Sequence, residues 1–119
     1  MSKTKLLGCY GESLAADYLI KKGYAIVAKN YRAGRSELDI ITEKDGRLVF
    51  FEIKTRNHDD ICNMEIPLGQ EQSNNLKRGI IAYCIKNHVN LDMVRLDLLL
   101  VSVDRKNRLI RFKHYRDVF

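Results

Sequence analysis

"SELDIITEKDGRLVFFEIK", residues 36–54, is the stretch on which the reading of this chain turns. Two runs rich in Ile, Leu, Val and Phe flank Asp45-Gly46, a pair that readily adopts the left-handed backbone of a two-residue hairpin loop. With that loop in place Lys44 faces Arg47, Asp39 falls opposite Glu52, and Glu37 falls opposite Lys54. Side chains alternate between the faces of a strand, so these four ionisable residues (Glu37, Asp39, Glu52 and Lys54) share one face near the open end. The other face reads Leu38, Ile40 and Thr42 against Val49, Phe51 and Ile53, a core face. Ile41 opposite Phe50 implies that the charged face is also covered, away from its open end.

Like charges directly opposite each other destabilise a sheet unless something compensates them. Protonation of one acid relieves the Asp39–Glu52 pair, with a raised pKa. A divalent cation relieves it better, because Mg²⁺ and Mn²⁺ prefer carboxylate oxygens. Lys54 points into the same pocket. A salt-bridge cluster on a half-exposed sheet would carry the same four charges, but the apolar neighbours argue against a freely solvated face.

The chain has 119 residues, enough for one domain (1–119) with a core that needs no disulfide or metal to hold it. Its hydrophobic share of 45% and charged share of 30% are those of an ordinary globular protein. Twenty-one Lys and Arg against 15 Asp and Glu leave a net charge of +6, which suits an anionic partner such as nucleic acid. Cys9, Cys62 and Cys84 show no C-x-x-C spacing and point to a reduced, cytoplasmic chain. His58 and Cys62 have the spacing of half a zinc site, with no second half evident. No apolar run has the length of a signal peptide or a membrane span.

Leu6, Tyr10, Leu14, Ala15, Tyr18 and Leu19 recur at helical spacing, which predicts a helix over 3–22 closed by Gly23. Residues 24–32 read as a strand, and "AGRS" turns the chain into the hairpin. After Lys54 the pattern dissolves into a long polar loop containing Pro67. A helix over 69–88 follows, with Leu76, Ile80, Tyr83 and Cys84 on one stripe. Strands over 94–103 and 108–115, joined by a turn at Asp104–Asn107, complete the order α-β-β-β-α-β-β.

Asp39 followed by Glu52-Ile53-Lys54 resembles the D…(D/E)-x-K motif of the restriction-endonuclease-like (PD-(D/E)xK) nuclease superfamily. The likeness extends through "GCYGESLAADYLIKKGYAIVAKNYR", "SELDII", "LVFFEIKTR", "VRLDLLLV" and "FKHYRDVF". Together these are similar to the YraN-like family of small uncharacterised bacterial proteins. The resemblance implies an α/β fold with a Holliday-junction-resolvase-like core, a mixed central sheet flanked by helices. It implies a metal-dependent endonuclease acting on nucleic acid, with branched or damaged DNA as substrate, and a homodimer, as in resolvase-like relatives. Asp39, Glu52 and the backbone carbonyl of Ile53 would hold one Mg²⁺ or Mn²⁺. Lys54 would orient water or stabilise charge on the phosphate. Glu12 enters because archaeal resolvases place a helical Glu beside the same acids, where it binds the metal through water or supports a second ion.

Arg32, Arg35, Arg56, Lys77 and Arg78 are candidate phosphate contacts by their position in the chain. Tyr31 is the one aromatic near the basic stretch, so base stacking is not the evident mode of recognition. The chain departs from the family pattern at Gln72, where a lysine is usual, and in lacking the usual glycine of the preceding loop. Two rival readings remain: a nucleic-acid-binding module of the same fold that does not cut, and a structural or assembly factor in which the charges form a polar network.

Overall fold

At Asp45 and Gly46 the backbone is left-handed, with φ of 53° and 78°. That is the geometry a tight hairpin turn demands of both its central residues. A computed structural model describes residues 3–57 and 68–118, with side chains from Tyr10 onward. Helix α1 (Lys3–Lys21) leads into β1 (Ala25–Ala33), β2 (Ser36–Lys44) and β3 (Arg47–Asn57). Helix α2 (Gln70–Asn87) and a short 3-10 turn (Leu91–Met93) precede β4 (Val94–Asp104) and β5 (Leu109–Tyr115). The order α-β-β-β-α-β-β is the one the periodicities predict. His58, Cys62 and Pro67 lie outside the described residues. Among those described, no helix is long and apolar enough to cross a membrane.

The five strands form one mixed sheet in the order β1-β2-β3-β4-β5. β3 and β4 are parallel, and every other neighbouring pair is antiparallel. Chain order explains this: β1–β3 follow one another through tight turns, whereas reaching β4 takes a crossover that includes α2. The strand reading stopped at Lys54, yet β3 continues to Asn57, because Thr55, Arg56 and Asn57 pair with Val101, Ser102 and Val103. A polar run shows no alternation, and the ladder to β4 carries it nonetheless.

The helices cover opposite faces. Ala15, Ala16 and Leu19 of α1 pack with Ile40, Val49, Phe51, Ile53, Leu99 and Val101. Leu76, Ile80, Tyr83 and Cys84 of α2 pack with Leu38, Ile41, Phe50 and Leu96. Tyr10 extends the α1 stripe in sequence but is 52% exposed, so the buried stripe begins a turn later. α1 ends as Gly23 implies: with φ of 93°, Gly23 donates to the Ile20 carbonyl while Tyr24 donates to that of Leu19.

Candidate functional site

The β2–β3 ladder runs from Lys44↔Arg47 to Ile40↔Phe51 and stops there. One residue on, the Oδ2 of Asp39 accepts a hydrogen bond from the Ile53 N–H at 2.9 Å. A side chain thus takes an amide that a backbone carbonyl would otherwise accept. Across β2, Asn30 is left-handed, with φ of 51°, between the Lys29↔Ile40 and Tyr31↔Leu38 pairs. The pleat skips at this level. Leu38 therefore joins the α2-side core, while Ile40 stays on the α1 side. This corrects the expected core face, which put both on one side. It also corrects the expected pairing, since Asp39–Glu52 and Glu37–Lys54 are not ladder pairs. Glu37 pairs instead with Arg32 of β1 and is exposed.

The carboxyls of Asp39 and Glu52 nevertheless touch. Burial, then the Asp39 charge, pushes the Glu52 carboxyl up to about 8. Asp39 is also raised by burial, against the opposing pull of the Ile53 N–H. Burial and proximity thus favour the protonated form of both acids, most strongly that of Glu52. Two further groups reach the same oxygen of Glu52: Lys54 Nζ lies 3.6 Å from Oε1, and Gln72 Nε2 donates to it at 3.1 Å. Lys54 is largely covered, with its side chain 19% exposed.

Glu12 projects from α1 onto the same cluster and contacts the Asp39 carboxyl. Burial, then the charges of Asp39 and Glu37, raises its pKa. Gly11 permits the approach: a Cβ there would fall 1.8 Å from Thr55 Oγ1, so only glycine lets α1 lie this close to β3. The structure thus brings together Glu12, Asp39, Glu52 and Lys54, with Glu37 at the margin.

The basic candidates are more dispersed. Arg56 follows Lys54 by two residues on β3, hence on the same strand face, and donates to the Thr55 carbonyl. Arg32 lies at the end of β1 and Arg35 in the turn after it, both exposed. Lys77 and Arg78 lie on α2, the helix that carries Gln72, five and six residues further on. Tyr31 is edge-on to Tyr83 at 5.1 Å, a packing contact.

Among the described residues, no three His, Cys, Asp or Glu side chains close on one point as a metal cage. The cluster instead brings together the carboxyls of Asp39 and Glu52, with that of Glu12 beside them. Carboxylate oxygens are the ligand type Mg²⁺ and Mn²⁺ prefer, and burial is the first cause of the raised pKa of all three acids.

Two features escaped the sequence. Gln72 stood out only as a departure from a family pattern, and its bond to Glu52 spans 20 residues, beyond any local signal. On the neighbouring strand β4, opposite Phe51, Asp97 is fully buried and takes four hydrogen bonds. The alternation Arg95-x-Asp97 in a strand, placing both on one face, is the signal that could have found it. Burial alone would raise the Asp97 pKa, but bonds from His114, Arg95 and the Asp117 N–H outweigh it and hold the pKa low.

Residues 11–101 match the profile of the family described as "Uncharacterised protein family UPF0102". The chain is 34% identical over 121 residues to a UPF0102 protein of Caldicellulosiruptor bescii, covering 97% of this chain and 98% of that one. A UPF0102 protein of Syntrophomonas wolfei is 43% identical over 98 residues, covering 82% and 85%. Among solved structures it is similar to Pyrococcus furiosus SfsA in complex with Ca²⁺. That likeness has a TM-score of 0.47 at 15% identity and covers 95% of this chain and 63% of that chain.

Proposed function

The chain belongs to the uncharacterised protein family UPF0102, and from that premise we propose that it is a metal-dependent endonuclease hydrolysing nucleic-acid phosphodiester bonds. The observation that supports this best is the contact of the buried Glu52 carboxyl with the half-buried carboxyl of Asp39, with an ammonium 3.6 Å from Glu52. A purely structural network would give each acid its own cation; here Asp39 and Glu52 both rest beside the single ammonium of Lys54.

Asp39, Glu52 and the Ile53 carbonyl would hold Mg²⁺ or Mn²⁺, with Glu12 reaching it through water or supporting a second ion. The ion, when bound, supplies a water of lowered pKa and neutralises charge on the scissile phosphate. Lys54 holds the attacking water or the developing phosphorane charge as a strong point charge. Gln72 fixes the Glu52 carboxyl from the α2 side. Arg56, Arg32, Arg35, Lys77 and Arg78 are the proposed contacts to the phosphate backbone, which the net charge of +6 favours, and DNA is the proposed polymer. The buried free thiol of Cys84 suits a reducing, cytoplasmic setting.

Two measurements test this reading. Calorimetric titration with Mg²⁺ and Mn²⁺ should give saturable binding that Asp39→Asn removes. Single-turnover cleavage in Mn²⁺, over single-stranded, duplex, flapped and four-way DNA and structured RNA, should reveal a substrate. On that substrate Lys54→Ala should lower the rate roughly a hundredfold or more while changing binding in Ca²⁺ only modestly. Proportional losses would make Lys54 a phosphate contact only. Binding without any cleavage by the unmutated protein would favour the non-cutting module.

A further inference from the structure

Far from the acid cluster, the hairpin turn closes over a cavity of about 250 Å³. Tyr24, Lys44, Arg47, Arg95 and Arg116 line it, with Asp45 the one acid among the lining residues. The cavity lies on the α1 face, where Val49 points and where Arg95 is its partner across the β3–β4 ladder. Glu52 faces the other side, toward Gln72.

The cationic wall is built rather than incidental. Asp97, at 0% exposure, accepts from Arg95 Nε at 2.7 Å and from Nη2 at 2.9 Å, which locks the guanidinium plane. A guanidinium has five N–H donors, so the pair leaves others available. The same carboxylate accepts the Asp117 N–H at 2.9 Å, and Val118 donates to the Leu96 carbonyl at 2.8 Å. Those two bonds tie down the C-terminal segment and set Arg116 at the rim. Across the turn, Lys44 and Arg47 are direct ladder partners, a like-charge pair that costs stability unless an anion or a diversion relieves it. Lys44 is diverted, donating to the Lys22 carbonyl at 2.9 Å with its ammonium 4.6 Å from the Tyr24 ring centroid. Arg47 has no such outlet among the described contacts and remains exposed at the mouth.

We propose that this cavity binds a phosphoryl anion, held by Arg95 from its floor and by Arg47 and Arg116 from its rim. Its volume is below the roughly 300–1,000 Å³ of pockets for drug-sized ligands, so the occupant is compact. Planar, forked guanidinium groups match phosphate oxygens better than single ammonium charges do. The proposal stands apart from the nuclease reading and survives its failure.

The test is calorimetric titration with inorganic pyrophosphate, in EDTA so that no cation at the acid cluster recruits the anion, at matched ionic strength. The unmutated protein should bind it saturably. An Arg47→Gln/Arg116→Gln double variant should bind about tenfold more weakly or worse, with an unchanged thermal melt, because both side chains are exposed. Absence of saturable binding, or equal affinity in the double variant, overturns the site. Dinucleotides with a 5′-phosphate and a 5′-hydroxyl then separate the sources. Tighter, Arg47/Arg116-dependent binding of the phosphorylated form identifies a nucleic-acid end as the ligand. Binding no tighter than that of pyrophosphate identifies a small phosphorylated compound.

Discussion

Burial and the neighbouring Asp39 charge both favour a protonated Glu52. With the Glu52 carboxyl at about 8 in the fold and 4.5 in the free chain, the native state keeps a proton that the unfolded state releases between those values. The contribution of Glu52 to stability is then fully present below about pH 4.5 and is lost as pH rises through about 8. In EDTA the melting temperature should fall across that window, and Glu52→Gln should flatten the fall. A slope in the variant parallel to that of the unmutated protein would show that Glu52 is not the titrating group. Asp39 adds a test at the same scale. Asp39→Asn keeps an oxygen acceptor for the Ile53 N–H and removes a repelling charge, so metal-free stability should hold or rise. Asp39→Ala strands that amide and should cost about 1–2 kcal/mol in urea melts. Equal losses from the two variants would sink the acceptor role.

The hairpin shows where sequence reading succeeds at the level of elements and where it stops. Asp45-Gly46 encodes its turn locally, and the register from Lys44↔Arg47 to Ile40↔Phe51 follows from it. Alternation then assumes an unbroken pleat, which the left-handed Asn30 and the Asp39 side chain interrupt; Leu38 changes face as a result. The buried stripe of α2 was legible for the opposite reason, since Leu76, Ile80, Tyr83 and Cys84 obey one uninterrupted period. What places that helix on β2 is Gly79, where a Cβ would meet Ser36 Cβ at 2.7 Å. Ser36 Oγ in turn donates to the Asn75 carbonyl at 2.7 Å. Gly79→Ala gains about 1 kcal/mol of helix propensity but overpacks against a fixed strand atom, at about 1–3 kcal/mol. The variant should be less stable than the unmutated protein in urea. A gain would place α2 farther from β2 than described.

Across the whole molecule, the candidate catalytic cluster and the arginine-lined cavity lie at opposite ends of the β2–β3 hairpin. The cavity is not visible in local pattern, because it depends on the parallel β3–β4 pairing that sets Val49 beside Arg95. The acids of the cluster were legible because the hairpin carries two of them; Gln72 and Asp97 were not, since their partners come from other elements. If nucleic acid crosses the cluster end, Arg56→Ala should reduce the slope of log affinity against log salt by about 1. Lys86→Ala should leave that slope unchanged, since Lys86 sits fourteen residues along α2 from Gln72, about 20 Å away. Equal effects from both would mean diffuse electrostatic attraction without a defined track.

The amide of Ile53 gives the site its own reporter. Its proton rests on a carboxylate rather than on a neighbouring strand, so its exchange with solvent deuterium and its proton chemical shift respond to the state of Asp39 and the acids coupled to it. Titrating the acid pair, or loading it with an ion, will register as a displacement of a single backbone resonance, readable without substrate, label or turnover.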